Sequence, residues 1–294
     1  MTATRTMTTT RTMTTTRAIT ATSITFIGGG NMGSAIAGGL IAKGAPPQNL
    51  RIVEPSAAQR AHLAAQHPGI GLHGEADAAA LAGADAVVFA VKPQQMREAA
   101  TAVAGLIAPV PVALTIAAGV RCADLSRWLG GYARIVRAMP NTPALIGAGI
   151  SACYAMPGAR DHAALAEEIL RSCGDVLPVP DERALDAVTG ISGSGPAYVF
   201  YFLEALERAA RELGFSADDA RRLAYATFDG SVRLALASDD SAARLRERVT
   251  SKGGTTARAL EVLDAARAGD ALVDAVKAAA ARATELGDEF GRDA

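Results

Sequence analysis

Two short segments carry residue types and spacings suited to holding anions. The first is Gly28-Gly29-Gly30-Asn31-Met32-Gly33, which satisfies Gly-x-Gly-x-x-Gly with Gly28, Gly30 and Gly33 at the three positions. The first glycine permits a tight turn out of a strand. The second lets backbone approach a pyrophosphate, and the third lets a helix pack closely. A helix beginning there presents free N–H groups and the positive end of its dipole to phosphates. Glu54 follows Gly33 at about the 20-residue spacing of an acid that bonds the adenosine ribose. Together these residues point to dinucleotide binding. Glu54 favours a free 2′-hydroxyl, whereas Ser56 and Arg60 could hold a 2′-phosphate, so the choice between NAD and NADP stays open.

The second segment, 249–256, reads VTSKGGTT. Gly253 and Gly254 expose backbone N–H groups, two threonine hydroxyls follow, and a helix begins. The same physics makes this an anion site, suited to a small carboxylate. Dipole and hydrogen bonds together contribute roughly 1–3 kcal/mol. Lys92 closes a strand before Pro93 and is expected near the cofactor, because ligands of open α/β sheets bind outside the carboxyl ends of strands. The segment 137–143, RAMPNTP, ends another strand, and its two prolines let Asn141 and Thr142 aim into the crevice. In the segment 189–198, TGISGSGPAY, Ser192 or Ser194 caps a long helix and the glycines allow close packing.

These motifs need elements that aim them. Ile24–Ile27 is a short apolar run ending in glycines and reads as a buried strand. A helical pattern follows over 32–43, then a strand over 50–53 and a helix over 56–66. Strands are expected at 84–91, 112–117 and 134–139, with outer strands at 150–155 and 176–179 around a helix at 161–172. Alternating strands and helices imply a parallel sheet covered on both faces. After residue 181 the strand signals stop. Helices are expected over 197–213, from a Ser216–Asp219 capping box to about 237, and over 256–267 and 270–287. The fold class is thus an α/β Rossmann-type domain followed by an all-α domain. The apolar faces of the second half outnumber the residues available to cover them, so a homodimer is expected.

The domains are read as a disordered Thr/Arg-rich tail over 1–22, a dinucleotide-binding domain over 23–180 and a helical domain over 181–294. Composition narrows the function classes. Half of the residues are hydrophobic, the formal net charge is −1 and aromatics are 4%. No basic face or stacking platform for nucleic acid is expected. No uninterrupted apolar run reaches the roughly 20 residues of a membrane span, and a cytoplasmic location is expected. Cys122, Cys153 and Cys173 lack CxxC spacing and read as small buried hydrophobes in a reducing compartment. None of His62, His67, His73 and His162 lies in the motifs, and no metal is expected.

The motifs IGGGNMGSAIAGGL (27–40), AVKPQ (90–94), AAGV (117–120), RAMPNTPA (137–144), DAVTGISGSGPAYVF (186–200) and VTSKGGTTARAL (249–260) resemble those of pyrroline-5-carboxylate reductases. The resemblance spans nearly all of the chain beyond the tail. It implies reduction of 1-pyrroline-5-carboxylate to proline, the last step of proline biosynthesis, with NADPH or NADH. It also implies a helical dimerisation domain and an assembly that is often a decamer of five dimers. Gly28, Gly30, Asn31, Met32 and Gly33 would hold the pyrophosphate, and Ala90, Val91, Lys92 and Pro93 would line the nicotinamide side. Asp77 falls where many relatives have asparagine near the adenosine ribose. Gly254, Thr255 and Thr256 would bind the substrate carboxylate, with Ser251 nearby, and Lys252 replaces the proline of some members.

Thr256 is the candidate catalytic residue. Its hydroxyl bonds the imine nitrogen to orient it, since a hydroxyl is a poor proton donor. No motif offers the His–Asp pair used to protonate a carbonyl oxygen. Two rivals stand beside this reading. A β-hydroxyacid dehydrogenase needs a lysine on the first long helix of its second domain, where this chain has Glu204 and Glu207. A non-catalytic dinucleotide sensor would not need the SKGGTT turn.

Overall fold

A computed structural model describes residues 19–292. Most of the expected tail, residues 1–18, lies outside it. The expectation of disorder up to residue 22 is corrected at its end. Ile19–Ala21 form a 3-10 turn, and Asn49 Nδ2 donates to Thr20 O at 3.2 Å. Thr22 is buried, and the Ser23 N–H donates to Asp85 Oδ2 at 2.8 Å. Backbone groups beyond the apolar run thus extend the ordered chain.

The chain forms two compact units, and neither is one continuous stretch. The first takes the chain up to Thr115 with Leu125–Val136 and Ala155–Cys173. The second takes Ile116–Asp124, Arg137–Tyr154 and Gly174 onward. The break expected near residue 180 is therefore a change of sequence pattern, not a boundary of contacts.

In the first unit the chain runs β1 (Ile24–Ile27), α1 (Asn31–Ala42), β2 (Leu50–Val53), α2 (Ala57–Gln66), β3 (Gly71–His73), α3 (Ala78–Leu81), β4 (Ala86–Phe89), α4 (Met96–Val103) and β5 (Val112–Thr115). The strands lie in the order β3-β2-β1-β4-β5. All of these pairs are parallel, and Ile27 aligns with both Val53 and Phe89. β1, β4 and β5 are buried at every residue, as continuous apolar runs require. From β1 the order grows first towards β2 and β3, then switches to β4. A crevice opens outside the carboxyl ends of strands at such a switch.

The strand β3 is absent from the sequence expectations. It has three half-buried residues at the sheet edge and no apolar run to mark it. The expected strand over 84–91 is shorter as β4, although the Ala90 N–H still bonds Ile27 O at 2.8 Å. α5 (Cys122–Trp128) carries no sequence signal, whereas β6 (Ile135–Met139) falls where a strand is expected; the chain changes unit within each. α6 (Ala163–Arg171) closes the first unit behind a 3-10 stretch over Pro157–His162.

In the second unit β7 (Gly149–Ala155) pairs in parallel with β8 (Gly174–Pro178). Then come α7 (Ala184–Val188), a π-helical turn at Thr189–Gly193, α8 (Gly195–Glu212), α9 (Ala217–Leu236), α10 (Ala242–Arg248), α11 (Thr255–Ala265) and α12 (Ala268–Arg292). The capping box forms. Ser216 Oγ accepts the Asp219 N–H at 3.1 Å and donates to Asp219 Oδ2 at 2.7 Å. Of the glycines of 189–198, Gly190 and Gly193 pack as expected, since a Cβ would stand 2.6 Å from Val276 O on α12 and from Met139 Cε respectively, whereas a Cβ on Gly195 would meet nothing within 4 Å. The serines do not cap α8, a correction. Ser194 makes no capping bond, and the Ser192 hydroxyl donates to Val188 O within the π turn.

Within the chain these helices leave a large apolar surface open. Phe200 is 61% exposed, Tyr201 70% and Leu236 83%, while Leu203 is the buried residue of α8. That is the surplus of apolar face read from the sequence.

Candidate functional site

The glycine turn meets each demand of its spacing. Gly28 has φ +104°, and a Cβ there would stand 2.8 Å from Val91 Cγ1 and 2.9 Å from Ala90 O. A Cβ on Gly33 would stand 2.7 Å from Gly28 O. A Cβ on Gly30 would meet nothing within 4 Å. The first and third glycines thus answer to crowding inside the protein. The second faces open space.

That space is a cavity of about 860 Å³, within the usual range for small-molecule sites. Of the residues expected at the cofactor, Gly28, Gly30, Glu54, Ser56, Ala90, Val91 and Lys92 line it. Asn31, Met32 and Gly33 form the first turn of α1, whose N–H groups have no acceptor inside the helix. Pro93 opens the 3-10 turn that follows Lys92. Asp77 does not line the cavity; its carboxylate caps α3 by accepting the Ala80 N–H at 2.8 Å. Its neighbours Glu75 and Ala76 line it instead. Gln95 and Glu98 were missed. No motif spacing marks them, and the turn into α4 brings them there. The bare glycine, the free helix N-terminus and the cavity size fit a dinucleotide.

The groups expected to read the ribose also build the turn. Glu54 accepts the Gly29 N–H on Oε2 at 3.1 Å and the Ser56 N–H on Oε1 at 2.9 Å. Ser56 Oγ caps α2 by accepting the Gln59 N–H at 3.3 Å. Arg60 Nη1 donates to the carbonyls of Glu54 at 2.7 Å and Pro55 at 2.8 Å. His67 is structural: its ring lies 3.1 Å from Ser34 Oγ, and burial pushes its pKa down.

The second unit carries the other anion turn. Gly253 has φ +74°, a conformation that favours glycine. The Gly254 N–H donates to Ser251 O at 3.0 Å, and a Cβ on Gly254 would collide with Ser251 Oγ. Thr255 and half-buried Thr256 open α11, so their N–H groups lack helical acceptors. Lys252 is exposed.

The 137–143 segment differs from expectation. Arg137 is 4% exposed, with Nη1 on Glu182 Oε1 at 3.0 Å and Nη2 on Asp186 Oδ1 at 3.2 Å. Asn141 Oδ1 accepts the Ile150 N–H at 3.0 Å, so this side chain holds its own loop instead of aiming outward. Glu182 also accepts the Cys122 N–H at 2.8 Å, and Asp186 accepts the Thr284 hydroxyl at 3.2 Å. Cys122, Cys153 and Cys173 are buried, and none of them forms a disulfide among the described residues. Among the described residues no group of three His, Cys, Asp or Glu could hold a metal. No described helix is long and apolar enough to cross a membrane.

A parallel sheet in this order, with a glycine turn at its switch point and a helix N-terminus opening on a cavity, defines a protein of the dinucleotide-binding Rossmann class. Residues 23–112 match a family described as NADP oxidoreductase, coenzyme F420-dependent. Residues 182–286 match the pyrroline-5-carboxylate reductase dimerisation family. The pyrroline-5-carboxylate reductase of Pseudomonas aeruginosa is 42% identical, over 92% of this chain and 98% of that one. A pyrroline-5-carboxylate reductase structure from Coxiella burnetii is 37% identical, covers 90% of this chain and 98% of its own, and superimposes with a TM-score of 0.83. The Plasmodium falciparum pyrroline carboxylate reductase with NADP bound is 28% identical, over 91% of this chain and 99% of that one, with a TM-score of 0.80. The chain belongs to the pyrroline-5-carboxylate reductase family. It is an NAD(P)-dependent oxidoreductase that reduces 1-pyrroline-5-carboxylate to proline, which removes the two rival readings.

Proposed function

We propose that the enzyme uses NADPH and also accepts NADH, with two anion-holding turns dividing the work. Gly28, Gly30, Asn31, Met32 and Gly33 hold the pyrophosphate. Glu54 and Ser56 serve the adenosine end, where Glu75 and Ala76 line the cavity in place of Asp77, and Ala90, Val91, Lys92 and Pro93 serve the nicotinamide side. Ser251, Gly254, Thr255 and Thr256 hold the substrate carboxylate. The observation that carries this reading is the second turn itself: Gly253 and Gly254 shape it, and it opens a helix of the dimerisation unit.

A bound reduced nicotinamide supplies the hydride. What remains for the protein is orientation, because an iminium carbon is already electrophilic and the product is a neutral amine before protonation. Thr256 hydrogen-bonds the imine nitrogen and aligns it. The relative with NADP bound supports NADPH as the preferred donor.

Residues 23–180 form the functional dinucleotide-binding part and 181–294 the dimerisation and substrate part. Copies of the chain pair through the open helical face, and five dimers assemble into a decamer. The enzyme works in the cytoplasm.

The test is oxidation of NADPH, followed by absorbance, with DL-1-pyrroline-5-carboxylate, repeated with NADH and with Thr256→Ala. Rapid oxidation by the wild type, reduced about 10-fold or more in the variant, supports the assignment of the turn. A variant as fast as wild type removes Thr256 from the site. Folded wild-type protein that binds dinucleotide yet oxidises neither donor overturns the reading.

A further inference from the structure

Gly29 stands between the first two glycines of the fingerprint, and both of its backbone polar groups are held. Its N–H donates to Glu54 Oε2 at 3.1 Å, and its C=O accepts from Gln59 Nε2 at 2.7 Å. A Cβ there would lie 2.6 Å from Leu63 Cδ1 and 3.1 Å from Ile52 Cγ2, so the residue also sits tightly against β2 and α2. Gln59 is itself anchored, since its backbone N–H donates to the Ser56 hydroxyl that caps α2.

Peptide geometry gives this contact a consequence. The Gly29 carbonyl belongs to the same peptide plane as the Gly30 N–H. In a trans peptide the two point in opposite directions. A carboxamide that draws the Gly29 carbonyl towards α2 therefore turns the Gly30 N–H away from α2. Gly30 lines the cavity and has open space where a side chain would be.

We propose that Gln59 is a positioning residue of the phosphate-binding turn: its carboxamide sets the Gly29–Gly30 peptide so that the Gly30 N–H faces the pyrophosphate. The proposal rests on the dinucleotide reading of the cavity. It assigns a role to a residue outside the glycine fingerprint, and it separates grip on the pyrophosphate from recognition of the ribose.

The test is calorimetric titration of the full-length enzyme with ADP, NADPH and NADH, for wild type, Gln59→Leu and Gln59→Glu. Leucine keeps the side-chain bulk and removes the donor. Loss of one neutral hydrogen bond predicts a rise in Kd of about 3- to 10-fold. The rise is shared by all three ligands, the NADPH-to-NADH ratio stays as in wild type, and kcat at saturating cofactor is unchanged. Glutamate sets a carboxylate against the Gly29 carbonyl at neutral pH. Compared with wild type at each pH, its Kd for ADP exceeds that of the leucine variant at neutral pH, then approaches wild type as pH falls towards about 4, where an ordinary glutamic carboxyl is largely protonated and can donate. Helix stability alone does not produce that recovery.

Wild-type Kd for ADP in Gln59→Leu overturns the proposal, as does a change confined to one of the two nicotinamide cofactors. Wild-type protein that binds none of the three ligands overturns the dinucleotide reading itself, and the proposal falls with it.

Discussion

Replacing Arg137 by methionine tests what holds the end of β6. The guanidinium is 4% exposed, while Glu182 retains 24% and Asp186 16% of its side-chain surface in solvent. Removing one partner of a fully buried ion pair costs about 3–5 kcal/mol, because the remaining charge is left uncompensated. The two carboxylates here keep some water, so the lower end applies, about 3 kcal/mol. For a chain of this size that lowers Tm by about 6–12 °C. The assay is urea and thermal unfolding followed by circular dichroism, at fixed protein concentration because assembly contributes to stability. The triple variant Arg137→Met, Glu182→Gln, Asp186→Asn is expected to regain most of the loss. Its amides leave no buried charge, and the glutamine carbonyl can still accept the Cys122 N–H that Glu182 accepts at 2.8 Å. A single variant within about 0.5 kcal/mol of wild type would refute the claim that this pair is structurally demanding. A triple variant no more stable than the single one would show that fork geometry, not uncompensated charge, sets the loss.

The other expectations follow from the glycines, the helical face and the buried thiol. Gly30→Ala should keep wild-type Tm yet weaken NADPH about 10-fold by fluorescence titration, since its Cβ meets only open space in the protein. Gly33→Ala should lose both stability and binding, because its Cβ falls 2.7 Å from Gly28 O; equal behaviour of the two variants contradicts the division of roles. Phe200→Glu, at an α8 residue 61% exposed within the chain, should sediment as a smaller species with unchanged helix content. Unaltered assembly would place the interface elsewhere. Burial, and then the Glu182 carboxylate, push the Cys122 thiol up, so iodoacetamide should label it only on unfolding, read by mass spectrometry. The unfolded chain releases that proton first as pH climbs through the ordinary thiol range, so this group lowers stability on the alkaline side.

Much of the candidate dinucleotide site's backbone geometry was legible in the order of residues. Gly28, Gly30 and Gly33 occupy the positions their spacing demanded, and the apolar runs of β1, β2, β4 and β5 lie close to where they were read. Ser216 and Asp219 form their capping box, and the surplus of apolar face read in the second half reappears as an open face. These features are local: a backbone angle, a run of like residues or a three-residue offset carries them, and each leaves a pattern in the chain.

The choice of partner for each polar side chain was not legible. Glu54 stands at the cofactor spacing, yet both of its oxygens hold backbone N–H groups of neighbouring turns. Asn141 turns back to Ile150, and Arg137, read as part of a functional loop, is buried between two carboxylates. The edge strand β3 has no apolar run, so only pairing with β2 defines it. Glu75, Gln95 and Glu98 reach the cavity because two turns converge there. Sequence alone determined the turns, the buried strands and the surplus of apolar helix face, since short-range sterics and hydrophobic periodicity act within a few residues. Tertiary structure decided which donors meet which acceptors, because hydrogen bonds and ion pairs depend on angstrom-scale distances between segments that the linear order leaves free.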